Sequence, residues 1–217
     1  MLSTWLRDLA PDAFRAEYFQ QQALALPAVA GQSIPLLNWG TIAQLVDSQP
    51  DMLIVRNGDL RRDPPPATFE QAMALFKEGH SIVMRRCERH HPMLRGLADR
   101  VGRELEGDVS IQTYITPSAF RSFGWHYDCE DVFVVQTSGV KEFFLRRNTV
   151  NPFPTLDAMP RDMQYERETT PVFAATLAAG DLLYIPRGWW HVARSIEDAL
   201  SLSIGVLSPA AAKKAPD

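Results

Sequence analysis

Two histidines and one aspartate are the residues of this sequence best suited to hold a metal ion: His126 and Asp128, in the triplet His126-Tyr127-Asp128, and His191 far downstream. Extended backbone turns alternate side chains to the same side, so His126 and Asp128 can share one ion. By itself the triplet says little, because so short a motif arises by chance and the same pair can make local hydrogen bonds in a loop. His191 adds weight. It follows Gly180-Asp181-Leu182-Leu183-Tyr184-Ile185-Pro186-Arg187-Gly188-Trp189-Trp190, where a strand ends in a rigid turn that presents one imidazole. Two histidines and a carboxylate form the facial set that suits non-haem iron(II), since three protein ligands on one face leave three octahedral positions open. Those positions can take a bidentate cosubstrate and oxygen. A structural zinc site is more often closed by four ligands, usually including cysteine, and no fourth ligand is evident. Cys87 and Cys129 lack CxxC spacing and read as reduced packing residues.

Ligands so far apart in the chain need a rigid scaffold to bring them together. From residue 109 onward, short β-rich runs at 109–115, 131–136, 142–146, 172–177, 182–185 and 200–207 are separated by Gly, Pro, Asp and Ser. No helices intervene. Such a string suits a closed or sandwiched antiparallel architecture, and a jelly-roll cupin is one of the few ways to hide its edges. The N-terminal part reads as helical and mixed. Apolar spacing predicts a helix over 12–24, Asn38 caps one running to about Val46, and Thr68 with Gln71 opens one that Gly79 closes. Leu94, Leu97, Val101 and Leu105 share one face of a helix over 93–105. Short strands are expected at 52–55, before an Asn57-Gly58 turn, and at 81–84. The expected organisation is one structural domain: a helical and mixed segment (1–107) packed on a barrel core (108–208), with a flexible tail (209–217).

The 217 residues, 46% of them hydrophobic, suffice for one sizeable core. A net charge of −4 provides no global basic field, so neither nucleic acid nor an anionic membrane is an expected partner. The first thirty residues carry Arg7, Asp8, Asp12, Arg15 and Glu17 and no long apolar run, so a cytoplasmic protein without a membrane span is expected. Arg85, Arg86, Arg89 and Arg95, interleaved with Glu88, form the one basic stretch and read as a mixed solvated face. His80, His90 and His91 are likewise expected at the surface, with no metal role.

Several segments match one family in order: Gln112-Thr113-Tyr114-Ile115-Thr116-Pro117, then His126-Tyr127-Asp128, Asp131-Val132-Phe133, Gln136, Gly139-Val140-Lys141, and Gly180-Asp181 through His191. Together they resemble the JmjC-related cupin oxygenases, nearest by motif to the ribosomal-protein hydroxylases. The resemblance covers roughly 109–207. It implies a mainly β fold, the double-stranded β-helix, with N-terminal helices. It also implies iron(II) on His126, Asp128 and His191, 2-oxoglutarate as cosubstrate, and hydroxylation coupled to release of succinate and carbon dioxide.

Within that resemblance Lys141 matches the basic residue that meets the far carboxylate of 2-oxoglutarate, where a charge-assisted hydrogen bond offsets part of the cost of burying an ammonium. Read without it, Lys141 is a solvated hairpin charge. Tyr114 matches a tyrosine that donates to the cosubstrate, and Ser201 a small polar residue on the last barrel strand. Ser203 shares the Ser201 face. Gln112 stands where these hydroxylases usually carry asparagine, so that contact departs from the pattern. Trp125, Trp189 and Trp190 flank the ligands and can wall the pocket, although alternation assigns at least one of the adjacent pair to plain packing. The expected substrate is a protein or peptide side chain or an amino-acid-like molecule, with an oligomer possible. Two other readings stand beside it: a metal cupin enzyme that does not use 2-oxoglutarate, and a catalytically silent JmjC-like binding module.

Overall fold

The computed structural model of the chain describes residues 2–160, 163 and 165–212. In chain order the helices and strands are α1 (Leu2–Leu6), α2 (Pro11–Glu17), β1 (Leu24–Leu26), α3 (Trp39–Asp47), β2 (Asp51–Arg56), β3 (Asp59–Leu60), α4 (Phe69–Lys77), β4 (Ser81–Arg85) and α5 (Pro92–Leu105). There follow β5 (Asp108–Thr116), β6 (Asp131–Ser138), β7 (Lys141–Arg146), β8 (Phe173–Leu177), β9 (Leu182–Ile185), β10 (Trp190–Ser195), β11 (Ala199–Leu207) and α6 (Pro209–Ala212).

Local chemistry sets the helix ends. The Asn38 side chain accepts from the Thr41 N–H at 3.0 Å and opens α3. Thr68 accepts from the Gln71 N–H at 3.3 Å, the Gln71 side chain accepts from the Ala67 N–H at 2.8 Å, and Gly79 at φ +88° ends the turn after α4. Helix α5 buries Leu94, Leu97, Val101 and Leu105 on a single face. The helix expected over 12–24 stops at Glu17. Gln20 takes a left-handed φ of +60°, its N–H donates to the Tyr184 hydroxyl at 2.7 Å, and residues 24–26 pair with β9 as a strand. Pairing with an open sheet edge outweighs helical periodicity there.

Every ladder is antiparallel. A large sheet runs β1-β9-β6-β11-β5-β4-β2-β3, and a small one runs β10-β7-β8. His126 forms an isolated antiparallel bridge with His191, so the triplet segment lies beside β10 on the outer edge of the small sheet. The two sheets face one another as the expected double-stranded β-helix. The outer face of the large sheet (Leu200, Leu202 and Ile204 of β11, Phe133 and Val135 of β6) packs with Leu94, Leu97 and Val101 of α5 and Ile42 and Leu45 of α3 in the main core. A smaller core of Val132, Val134, Phe143, Leu145, Leu183 and Ile185 lies between the sheets. Strands β2, β3 and β4, from the N-terminal part, extend the same large sheet.

Two further expectations change. Strand β10, read from sequence only as a turn presenting His191, pairs along six residues with β7. Residues 209–212 form a helical turn with Ala211 buried, where fraying was expected; 213–217 lie outside the described residues. Among the described residues no helix is long and apolar enough to cross a membrane.

Candidate metal centre

The backbone bridge between residues 126 and 191 sets the centre. His191 N–H donates to His126 O at 2.8 Å and His126 N–H donates to His191 O at 3.2 Å, which brings the imidazole centroids to 4.2 Å. Asp128 joins them: its Oδ2 lies 3.5 Å from His191 Nε2, and one ligand atom from each of the three residues lies within 4.8 Å of the others. Between the two candidate ligands, Tyr127 points the other way, buried edge-on against Trp190 at 4.7 Å and 90°. Alternation along the triplet thus locks its middle residue into packing and frees its outer two. The Gly188 N–H donates to the Asp128 carbonyl at 2.9 Å, tying the turn before β10 to the triplet.

Hydrogen bonds fix the tautomers. His126 Nδ1 lies 2.8 Å from the Gly124 carbonyl and His191 Nδ1 lies 3.0 Å from the Trp189 carbonyl. A carbonyl only accepts, so each Nδ1 carries the proton and each Nε2 keeps its lone pair for a cation. Burial, followed by the neighbouring His126, pushes His191 down to about 4, so this imidazole is neutral at physiological pH, as a metal ligand must be.

A cavity of about 460 Å³ opens beside these three residues. Strand alternation decides its lining: Gln112 and Tyr114 of β5, Ser201, Ser203 and Gly205 of β11, and Lys141 and Phe143 of β7 all face inward. Register places Ser201 opposite Tyr114 and Ser203 opposite Gln112. Tyr114 O–H donates to Gln112 Oε1 at 3.2 Å, and burial raises its phenol well above the usual value. Lys141 is 4% exposed, which excludes the solvated-hairpin reading. Its ammonium donates to Thr116 Oγ1 at 3.2 Å and Ser201 Oγ at 3.4 Å, and lies 5.3 Å from the Tyr114 ring centroid. Burial lowers it to about 8. No carboxylate among the described residues pairs with it, so the cavity holds a buried cation whose partners are two neutral hydroxyls and the faces of two rings.

Other sequence expectations fall elsewhere. Of the three tryptophans only Trp125 lines the cavity, its ring stacked on Tyr165 at 4.0 Å. Trp190 is buried in packing and Trp189 leans on the smaller core. His91 is buried, with Nε2 3.2 Å from Gln44 Oε1, and His80 is half-buried near Glu78; only His90 is solvated. Arg85, expected on a solvated face, lines the cavity and pairs with Asp51. Two contributors escaped the sequence reading. Thr116 continues the inward face of Tyr114 to Lys141, and Glu130 continues the alternation of residues 126 and 128 into the cavity. That period of two was the available signal. Burial, then Asp128 and Glu88, raises Glu130 to about 7.

Comparison with known proteins identifies the family and the fold. A JmjC domain model matches residues 91–214. The chain is 33% identical over 135 residues to the bifunctional lysine-specific demethylase and histidyl-hydroxylase NO66 of Dictyostelium discoideum, a match covering 60% of this chain and 26% of that protein. It is 36% identical over 104 residues to ribosomal oxygenase 1 of Gallus gallus, covering 46% and 17% respectively. Its fold is similar to that of the Escherichia coli ribosomal oxygenase YcfD, with a TM-score of 0.65 and 21% identity over 96% of this chain and 52% of the other. The same protein in complex with cobalt and 2-oxoglutarate gives 0.62 and 20%, over 95% and 52%. The chain therefore spans about a quarter or less of these curated relatives and about half of YcfD. Since the domain match extends over more than half of its length, the chain belongs to the JmjC-domain family.

Proposed function

We propose that this protein is an iron(II)- and 2-oxoglutarate-dependent dioxygenase that hydroxylates a protein or peptide side chain or an amino-acid-like substrate. One observation carries the reading: a convergent His-Asp-His set and a buried ammonium that has no carboxylate partner among the described residues share a single cavity. The donor set fits the metal, for both imidazoles are held in the Nδ1–H tautomer and the single carboxylate leaves room for further ligands. The names of the relatives, hydroxylase and oxygenase, support it too.

In this reading His126, Asp128 and His191 hold the metal, while Lys141 anchors the far carboxylate of the cosubstrate through a charge-assisted hydrogen bond. Ser201 and Thr116 orient the Lys141 ammonium, and Tyr114 offers its hydroxyl beside it. When bound, the metal and cosubstrate supply the oxidising chemistry, with succinate and carbon dioxide as coproducts. Val132, Val134, Phe143 and Ile185 wall the cavity with apolar surface that keeps water from the reacting groups.

Calorimetric titration of 2-oxoglutarate into the manganese(II)-loaded chain without oxygen tests the binding half, and succinate formation by the iron-loaded chain tests the chemistry. A chain that takes up the metal but fails to bind 2-oxoglutarate refutes the proposal, and a metal cupin enzyme of another kind would then be the better account.

A further inference from the structure

The Asn57-Gly58 turn that joins β2 to β3 lies far from the metal set in the chain, yet it is bonded to the segment that leads into it. Both residues hold the left-handed backbone of a two-residue hairpin turn, at φ +52° and +98°. Their N–H groups take no part in the β2–β3 ladder, which ends at Arg56 and Asp59. Each finds an acceptor elsewhere: Asn57 N–H donates to the Arg121 carbonyl at 3.0 Å and Gly58 N–H to the Ser122 carbonyl at 2.8 Å. The Arg121 N–H donates back to Asn57 Oδ1 at 3.3 Å. Beside them the Arg56 guanidinium lies 5.2 Å from the centroid of the Phe120 ring, which also packs so closely on Gly79 that a Cβ there would fall 2.6 Å from its Cζ.

Residues 117–125 contain no helix or strand and join β5 to the His126 triplet. A segment of this kind keeps its shape through individual contacts. Its start is tied to β10 and the turn after it, where Ala119 N–H donates to the Ser195 carbonyl at 3.0 Å and Ser118 N–H to Asp198 Oδ1 at 2.8 Å. Its end is the bridge between His126 and His191. Between these anchors, Asn57 and Gly58 hold it. The held stretch serves both halves of the site. Gly124 supplies the carbonyl that fixes the His126 tautomer, and Ser122 Oγ lies 3.5 Å from Thr116 Oγ1, which accepts from the Lys141 ammonium. Phe123, from the same stretch, meets Tyr114 edge-on at 6.4 Å and His126 at 5.7 Å. We propose that the Asn57-Gly58 tip is a positioning element of this site: it clamps the 121–125 backbone and, through Gly124 and Ser122, sets the His126 ring and the hydroxyl network of Lys141. Neither residue touches metal or cosubstrate. The N-terminal hairpin thereby shares in the function and is more than an extension of the large sheet.

This inference rests on the oxygenase reading. Three variants of the full chain test it. Asn57→Gly keeps the left-handed turn but lacks the acceptor for the Arg121 N–H, whereas Asn57→Asp keeps an oxygen there. Gly58→Pro removes the N–H that reaches Ser122 and imposes a φ of about −65°. Each is loaded with manganese(II) and titrated calorimetrically with 2-oxoglutarate, and is loaded separately with cobalt(II), whose visible absorption reports the arrangement of its ligands. Both readings are taken well below the melting temperature of each variant, so a merely structural role moves neither. Asn57→Gly should weaken 2-oxoglutarate by about fivefold, the equivalent of one hydrogen bond, and Gly58→Pro by more. Both should change the cobalt(II) spectrum, and Asn57→Asp should restore the parent's behaviour. Where Gly58→Pro fails to fold, the pair at position 57 decides alone. The proposal is overturned if the folded variants bind 2-oxoglutarate within about twofold of the parent with its cobalt(II) spectrum, or if Asn57→Asp loses as much as Asn57→Gly. Failure of the parent to bind 2-oxoglutarate at all is a separate result: it removes the oxygenase reading and this inference with it.

Discussion

Replacing Lys141 with methionine should stabilise the chain and at the same time sharply weaken its affinity for 2-oxoglutarate. The ammonium is 4% exposed, and burial lowers it from the usual 10.5 to about 8. Holding the charged form in the folded chain therefore costs roughly 3 kcal/mol, at about 1.4 kcal/mol for each tenfold change in proton affinity. Its hydrogen bonds to Thr116 and Ser201 return about 1 kcal/mol, leaving a net gain of about 2 kcal/mol for an apolar side chain of similar length. For a domain of this size that is roughly 4–8 °C in Tm at pH 7. The sign with pH follows from linkage. Because folding depresses the pKa, the unfolded chain binds more protons between about pH 8 and 10.5, so parental stability rises across that window. The advantage of the variant is full below about pH 8 and fades towards pH 10.5. Binding moves the other way: loss of one partner of a buried charge pair costs about 2–5 kcal/mol, or roughly 30-fold to several thousandfold in Kd. Differential scanning fluorimetry without ligand and calorimetry with manganese(II) and 2-oxoglutarate read the two effects separately. A variant that melts below the parent at pH 7, or binds 2-oxoglutarate within about threefold of it, refutes the reasoning.

Alanine at His126, Asp128 or His191 should each weaken manganese(II) binding by more than the roughly 10–100-fold typical of outer-shell changes, read by metal titration, while Tm without metal falls little. Gly188→Ala places a Cβ 2.6 Å from the Pro152 carbonyl at a φ of +79°, and should cost about 1–3 kcal/mol in chemical denaturation and weaken metal binding through the displaced turn before His191. Trp190→Ala removes a ring buried against Tyr127 and Tyr165 and should cost about 3–5 kcal/mol. Trp125→Ala, at the cavity wall, should cost less, both variants being read by chemical denaturation.

Legibility in the sequence tracked the physical range of each signal. Period-two alternation is local and strong, so most strands could be read, and the row Gln112, Tyr114 faces Ser201, Ser203 because both strands obey it. Caps at Asn38 and Thr68 are contacts over three residues and were equally visible. Strand β10 was not, because Trp190–Ser195 is a strand by virtue of pairing with β7, more than forty positions earlier. Nor was the end of α2, which is set by Tyr184 and the edge of β9. The burial of Lys141 was legible only through family resemblance, since lysines are mostly exposed and nothing in Gly139-Val140-Lys141 marks this one as different. Glu130 lies one step further along the alternation that links residues 126 and 128, but a lone glutamate in a loop is ordinarily solvated and carries no mark of its place in the cavity.

Strand β11 shows why fold and site can coexist in so short a domain. Leu200, Leu202, Ile204 and Val206 face the helices and belong to the main core, whereas Ser201, Ser203 and Gly205 face the cavity. A one-residue slip in register would exchange the two sets, burying hydroxyls among α3 and α5 and setting leucines against Lys141. The hydrophobic face therefore fixes the register, and the register in turn fixes the polar row. Stability comes from one side of the sheet, so the other is left free to carry a group that is individually unfavourable, such as an ammonium that meets only hydroxyls and ring faces among the described residues. For that reason a buried charge at Lys141 that costs desolvation in the ligand-free chain has its physical rationale in a ligand that would pair with it, and the methionine variant tests that cost.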